Sequence, residues 1–316
     1  WDVYNNSSRL KIMQYLYAVE MSGFEDTKEH HKNLIKSIDS IHELFLFQIS
    51  LFVEILKKAK SKYNISLESV TGNISSKYTN TRFYNNRFLS QIISNSRITR
   101  LFSSNAYINW EIDYKFANLI YDKIIDSDIY SNYINEKSDS YQMDSKFIYD
   151  SYKEIIVPDE KFQSFIEEKN IFWMDDFAFV NTLILKLIKS PTPKSFEKSF
   201  YFKLFSNSSD RKYSDDLANL SIRNFKENNI LLTKYVANWD IDRLAKIDLV
   251  ILNLALTELK AFKDIPIKVS LNEYIEISKD YSTEKSSFFI NGILDKVVKD
   301  LVSTNSIIKE GRGLRE

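Results

Sequence analysis

Residues 238–301 read NWDIDRLAKIDLVILNLALTELKAFKDIPIKVSLNEYIEISKDYSTEKSSFFINGILDKVVKDL, and this stretch decides the fold. Its spacing predicts three helices. The first is expected to open near Asp240, where Asp240 and Asp242 place carboxylates at the positive end of a helix dipole. Leu249-Val250-Ile251-Leu252, followed by Leu254, Ala255 and Leu256, puts apolar side chains nearly all the way round that helix. A helix of this kind is wrapped by neighbours, so it is expected to be the central one. Pro266 cannot continue a helix and restricts Ile265. Ser270 with Glu273 matches a capping box and predicts a second helix from about Leu271, with Leu271, Tyr274, Ile275, Ser278 and Tyr281 on one stripe. Ser282-Thr283 then restarts the chain as a third helix through Phe289, Ile293, Val297 and Leu301. Gly292 inside it is costly unless another backbone approaches closely.

Outward from this stretch, the composition favours helices throughout. Five glycines and four prolines in 316 residues are too few turn formers for a sandwich, a barrel or a Gly-rich nucleotide-binding sheet. A hydrophobic content of 44% supplies a sizeable core. The absence of cysteine excludes disulfides, thiolate metal sites and a thiol nucleophile, and suits a cytoplasmic address. No apolar run is long enough for a membrane span, and the N-terminus shows no signal-peptide core. With 43 basic and 43 acidic residues, bulk charge does not attract nucleic acid, so any RNA contact must be a local patch.

Upstream, residues 7–21 predict a helix with Leu10, Met13, Leu16 and Tyr17 on one face and Gly23 as its C-cap. Leu34, Ile38, Ile41, Phe45, Phe52 and Leu56 recur at helical steps and predict one long helix over 27–62. Residues 63–80 read as a connection. Helices are expected over 84–101, 110–126, 144–156, 159–168, 171–189, 194–206 and 213–237, with breaks at Pro158 and at Pro191-Thr192-Pro193.

The residues that could carry chemistry lie mostly at one turn. Lys279, Tyr281, Ser282, Lys285 and Ser286 surround a helix start, which offers N–H groups and partial positive charge to an anion. Tyr281 could stack an unpaired base. The plainer account is a capped helix with solvated lysines. Asp175-Asp176 and Glu167-Glu168 read as solvated surface. His30, His31 and His42 lack the spacing of a metal set, no P-loop or nucleophile motif occurs, and no cofactor or catalytic residue is predicted.

The segments NWDIDRLAKID, DIPIKVSLNEYIEISKDYST and KSSFFINGILDKVVKDL resemble the C-terminal half of the NusB family of bacterial transcription antitermination factors. Residues 8–18, SRLKIMQYLYA, resemble its first helix, and NTRFYNNRF with IFWMDDFAFVNTLI resembles the family's long version. The resemblance implies an all-α NusB-like bundle: a conserved core of about 7–23 and 207–303, inserted helices over 24–206, and a flexible tail at 304–316. It implies RNA binding through Arg9, Lys11, Lys279, Tyr281, Ser282, Lys285 and Ser286, with the two segments meeting in one patch. Family members carry an arginine-rich start where this chain has Asn5-Asn6-Ser7-Ser8. Asp242 and Asp248 fall where the family meets the small ribosomal protein that doubles as NusE. The expected partners are therefore that protein, single-stranded boxA RNA and the RNA polymerase antitermination complex. Two alternatives stand beside this: a protein-only scaffold for the ribosomal protein, and an RNA cytosine methyltransferase, which would need a nucleotide-binding half and a cysteine that this chain lacks.

Overall fold

The structure, a computed structural model, describes residues 2–68, 80–190, 192–205, 207–236 and 244–309. Among these residues there is no strand. The chain divides into two compact units, residues 1–38 with 207–316 and residues 39–206.

Fifteen α-helices follow one another among the described residues. The N-terminal pair are α1 (Asp2–Met21) and α2 (Thr27–Glu68), and the division falls within α2. The second unit continues with α3 (Thr81–Tyr84), α4 (Arg87–Ser94), α5 (Ser96–Ser104), α6 (Trp110–Ile125), α7 (Asp128–Asn135) and α8 (Tyr141–Ser151). A π-helical turn (Tyr152–Ile156), α9 (Glu160–Lys169), α10 (Trp173–Ile188) and α11 (Pro193–Phe205) complete it. The first unit resumes with α12 (Asn207–Thr233), α13 (Lys246–Ala261), α14 (Ile267–Tyr281) and α15 (Glu284–Ser303).

In the first unit α13 is the centre, as its sequence predicts: every residue from Asp248 to Leu259 is buried, and α1, α12, α14 and α15 all pack on it. It opens at Lys246, later than expected; Asp240 and Asp242 lie outside the described residues. Polar side chains on the α12–α13 face find one another. Asn228 Nδ2 donates to Thr257 Oγ1 at 3.0 Å, and Asn253 Nδ2 donates to Asn229 Oδ1 at 2.7 Å. Gly23 ends α1 at φ +67°, a conformation that only glycine adopts without steric cost. Phe24 follows at φ +64°, held by its edge-on contact with Phe225.

The deepest feature of this unit is an ion pair. Arg9 on α1 is 1% exposed and Glu258 on α13 is 0% exposed. Arg9 Nε donates to Glu258 Oε2 at 2.8 Å and Nη2 to Oε1 at 2.9 Å, the two-pronged geometry that suits a guanidinium. Glu258 also accepts from Ser270 Oγ at 2.6 Å, from Tyr274 Oη at 3.0 Å and from Tyr213 Oη. Three neighbouring helices, α1, α12 and α14, thus converge on one carboxylate. Burial alone would push its pKa up, but the Arg9 charge and these donors outweigh burial and hold it below the usual range. Burial works against the charged form of Arg9 too, and Glu258 overcomes that to raise its pKa.

Three expectations are corrected in this unit. Arg9 and Lys11, read as surface cations, are buried at 1% and 2% exposure. Ser270 and Glu273 do not cap a helix: α14 begins four residues earlier, after Pro266, while Ser270 bonds Glu258 and Glu273 lies 4.0 Å from Arg9. Gly292 does not sit at a tight crossing, since a Cβ built there meets nothing within 4 Å. Within the stretch expected to be a flexible tail, Ile307 is buried and Lys309 Nζ donates to Phe262 O at 2.9 Å; residues 310–316 lie outside the described residues.

The periodic residues of α2 are buried as predicted, Leu34 and Ile38 in the first unit and Ile41, Phe45, Phe52 and Leu56 in the second, and the helix runs on to Glu68. Phe47 stacks on Trp110 and touches Phe165 and Trp173, while the buried Tyr152 hydroxyl lies 2.6 Å from Gln48 Oε1 and 2.8 Å from Asn181 Oδ1. The helix expected over 84–101 is two, because Asn95 ends α4 and caps α5 through bonds from the N–H groups of Arg97 and Ile98. Asp176, read as solvated, is 1% exposed on the inner face of α10; its neighbour Asp175 is exposed.

Glu258→Gln is expected to destabilise the protein by about 3–5 kcal/mol in urea unfolding, because it leaves the buried Arg9 without its counter-charge. Glu258 has a lowered folded-state pKa, so its contribution is fully present above the ordinary glutamate range and is lost as pH falls through the folded value. Wild type should therefore lose stability below about pH 4 more steeply than Glu258→Gln does. Gly292→Ala should raise stability by about 0.5–1 kcal/mol, read as a higher urea midpoint at unchanged slope.

Candidate nucleic-acid interface

The turn between α14 and α15 is built by three hydroxyl side chains in sequence. Ser282 ends α14 with extended backbone, and its N–H donates to Ser278 O at 3.0 Å. Its Oγ donates to Asp248 Oδ1 at 2.5 Å, which ties the turn to the first turn of α13. Thr283 caps α15: its Oγ1 accepts from Ser286 N at 3.1 Å and lies 2.9 Å from Ser286 Oγ. Ser287 is buried beneath the turn. The local sequence makes this the natural place for a break, since Ser and Thr side chains compete with backbone groups for hydrogen bonds.

Around this frame stand exposed groups of mixed chemistry. Lys279 is exposed in the last turn of α14 and pairs with Glu276 at 2.6 Å. Lys285 is exposed in the first turn of α15, and Ser286 is partly exposed beside it. Tyr281 is 40% exposed and Phe288 is 73% exposed. The turn therefore offers ammonium groups, hydroxyls and two aromatic faces to whatever approaches it. Phosphate oxygens suit the first two, and an unstacked base suits the third.

Five of the seven residues assigned to RNA gather here: Lys279, Tyr281, Ser282, Lys285 and Ser286. Arg9 and Lys11 do not join them at the surface, being buried. Asp248, assigned to a protein partner, is 4% exposed and holds Ser282, so its carboxylate shapes the turn from within. Asp242 lies outside the described residues. Phe288 was missed, although its signal is visible: the buried stripe runs through Ile290, Ile293, Leu294, Val297 and Leu301, and Phe288 falls off it. Among the described residues no three His, Cys, Asp or Glu side chains are gathered for a metal ion, and no helix is long and apolar enough to cross a membrane.

Comparison with known proteins places this turn inside a shared region. The family model described as NusB family matches residues 180–299, which include Glu258, Asp248 and the whole α14–α15 turn. The Transcription antitermination protein NusB of Salinibacter ruber is 40% identical over 106 residues, covering 34% of this chain and 66% of that protein. Its namesake in Chloroherpeton thalassium is 42% identical over 98 residues, covering 31% and 46%. The chain thus spans just under two thirds of the first relative and less than half of the second. A solved structure, T. maritima NusB, aligns at 28% identity with a TM-score of 0.30, covering 39% of this chain and 87% of that one. The Transcription antitermination protein NusB of Natranaerobius thermophilus is 42% identical over 95 residues, 30% of this chain and 68% of its own length. At that identity over more than two thirds of a relative, the chain belongs to the NusB family.

Proposed function

We propose that this protein is a transcription antitermination factor that acts by binding and assembly rather than by catalysis. It pairs with the NusE ribosomal protein, and the pair holds the single-stranded boxA element of a nascent ribosomal RNA. Tethering that RNA to RNA polymerase in the cytoplasm opposes premature termination. The observation that carries this reading is the α14–α15 turn, where Lys279, Tyr281 and Lys285 are exposed on a frame fixed by Ser282 and Asp248. Two lysines give a shallow electrostatic grip, so the partner's contact matters: once it is bound, the RNA contact becomes intramolecular in effect.

One observation favours a second reading. Arg9 and Lys11 sit inside the first unit, which removes two of the four cations expected to meet phosphate. Each lost phosphate contact weakens binding and flattens its dependence on salt. A protein-only scaffold that holds the ribosomal protein with weak or no RNA binding is consistent with so small a charge set.

Binding of boxA RNA, measured with and without the ribosomal protein over a salt series, separates the two. The antitermination reading expects tighter binding by the pair, and a fall of about tenfold or more on Lys279→Glu/Lys285→Glu with the protein partner still bound. Equal RNA affinity with and without the partner, unmoved by the double charge reversal, would favour the scaffold.

A further inference from the structure

The overall charge balance of the chain hides an asymmetry in the second unit. Between Ile55 and Trp110 the sequence places five lysines and four arginines against a single carboxylate, Glu68, in a protein with 43 residues of each sign. An imbalance of this size within one segment is the electrostatic footprint of a polyanion partner.

Six of these cations, Lys57, Lys58, Lys60, Lys62, Arg97 and Arg100, lie on α2 and α5, two helices that share a cleft. On α2, Ile55, Leu56 and Ala59 are buried, so at roughly 100° per residue the intervening Lys57, Lys58 and Lys60 project from the outer arc. On α5, Ile98 and Phe102 face inward while Arg97 and Arg100 are exposed. Lys57 of α2 and Thr99 and Ser103 of α5 line the same cavity of about 470 Å³, floored by Val53, Phe102 and Trp110. Beside it, Lys60 Nζ lies 5.5 Å from the Tyr84 ring centroid, and Tyr63 and Tyr84 lie 5.0 Å apart. Carboxylates are present too: Glu54 and Glu111 line the cleft, Glu54 pairs with Lys57, the one cation in that lining, at 2.6 Å, and Glu197 accepts from Asn95 at 3.1 Å. Arg82 and Arg87 are held elsewhere, by the carbonyls of Glu136 and Ser138 and by Asp139.

We infer that this face of the second unit is a separate binding site for single-stranded RNA. Phosphates run along Lys57, Lys60, Arg97 and Arg100, and unstacked bases lie against the Tyr63–Tyr84 pair and the apolar floor of the cleft. Cations interleaved with aromatic rings around a groove suit a single strand, whose bases are free to turn inward. A bilayer would need an apolar stripe among the lysines, and between Lys57 and Lys62 the only apolar residue, Ala59, is buried. The inference rests on the second unit alone, not on the α14–α15 turn.

The test uses the full chain and a labelled single-stranded RNA of about 20 nucleotides of mixed sequence, long enough to cover one such groove. Fluorescence anisotropy over a salt series compares wild type with Lys57→Glu/Lys60→Glu, Arg97→Glu/Arg100→Glu and, as a separate arm, Lys279→Glu/Lys285→Glu. Each second-unit pair is expected to weaken binding by about tenfold or more and to flatten the logarithmic salt slope by about 0.7 per contact removed. Photocrosslinking of the same RNA carrying 4-thiouridine to wild type, read by mass spectrometry, is expected to label peptides holding Tyr63 or Tyr84; this readout does not depend on any variant folding. Unchanged affinity in both second-unit pairs, with crosslinks confined to the α14–α15 turn, overturns the inference and leaves the family reading standing. Losses only in the second-unit pairs support it and count against the turn. Tighter binding of wild type to phosphatidylserine vesicles than to RNA overturns it in favour of a membrane surface.

Discussion

The first unit depends on a charge that water cannot reach. Glu258 sits in the last turn of the central helix, and the carboxylate is tolerable there only because Arg9 and three hydroxyls surround it. Each of those groups comes from a different place in the chain: α1, α12 and two positions one turn apart on α14. Apolar contacts can slide by a residue at small cost, whereas a two-pronged guanidinium cannot. The pair therefore sets the register of α1 and α14 on α13, and the surrounding leucines, isoleucines and valines fill the space that this register leaves.

That register reaches the candidate interface through α13. Asp248 lies near the start of the same helix, and its bond to Ser282 fixes where α14 ends and where α15 begins. The exposed lysines and aromatic rings are thus mounted on a turn whose position is dictated from the core. Functional groups on a short loop are useful when a rigid scaffold aims them, and here a buried carboxylate does the aiming.

What the sequence reveals and what it hides follow from the range of each interaction. The central helix was legible because an all-round apolar run is a local property, and Gly23 because a helix end needs a left-handed residue locally. Arg9 was read as a surface cation because arginine is rarely buried without a partner, and its partner stands 249 positions away. Ser270 and Glu273 mimicked a capping box for the same reason: the spacing was right, but a distant charge claimed both side chains. Asn95 breaks a helix that its apolar periodicity would have continued, since hydrophobic spacing does not register a cap. At the candidate interface the hydroxyl-rich turn was visible, whereas the inward role of Asp248 required knowing what lay across from it.

The separation between Arg9 and Glu258 also has a consequence for how the protein is made. Helix α1 leaves the ribosome with half of a buried ion pair and no counterpart, and the whole of residues 39–206 is synthesised between it and α12 and α13. Domains generally fold as their sequence becomes available, so the second unit can reach its own core first. The first unit must wait for α13, α14 and α15, and Ile307 and Lys309 dock only after those helices have been made. Helix α1 is thus made well before the helices that shelter Arg9, which marks it as a segment in need of protection on the nascent chain.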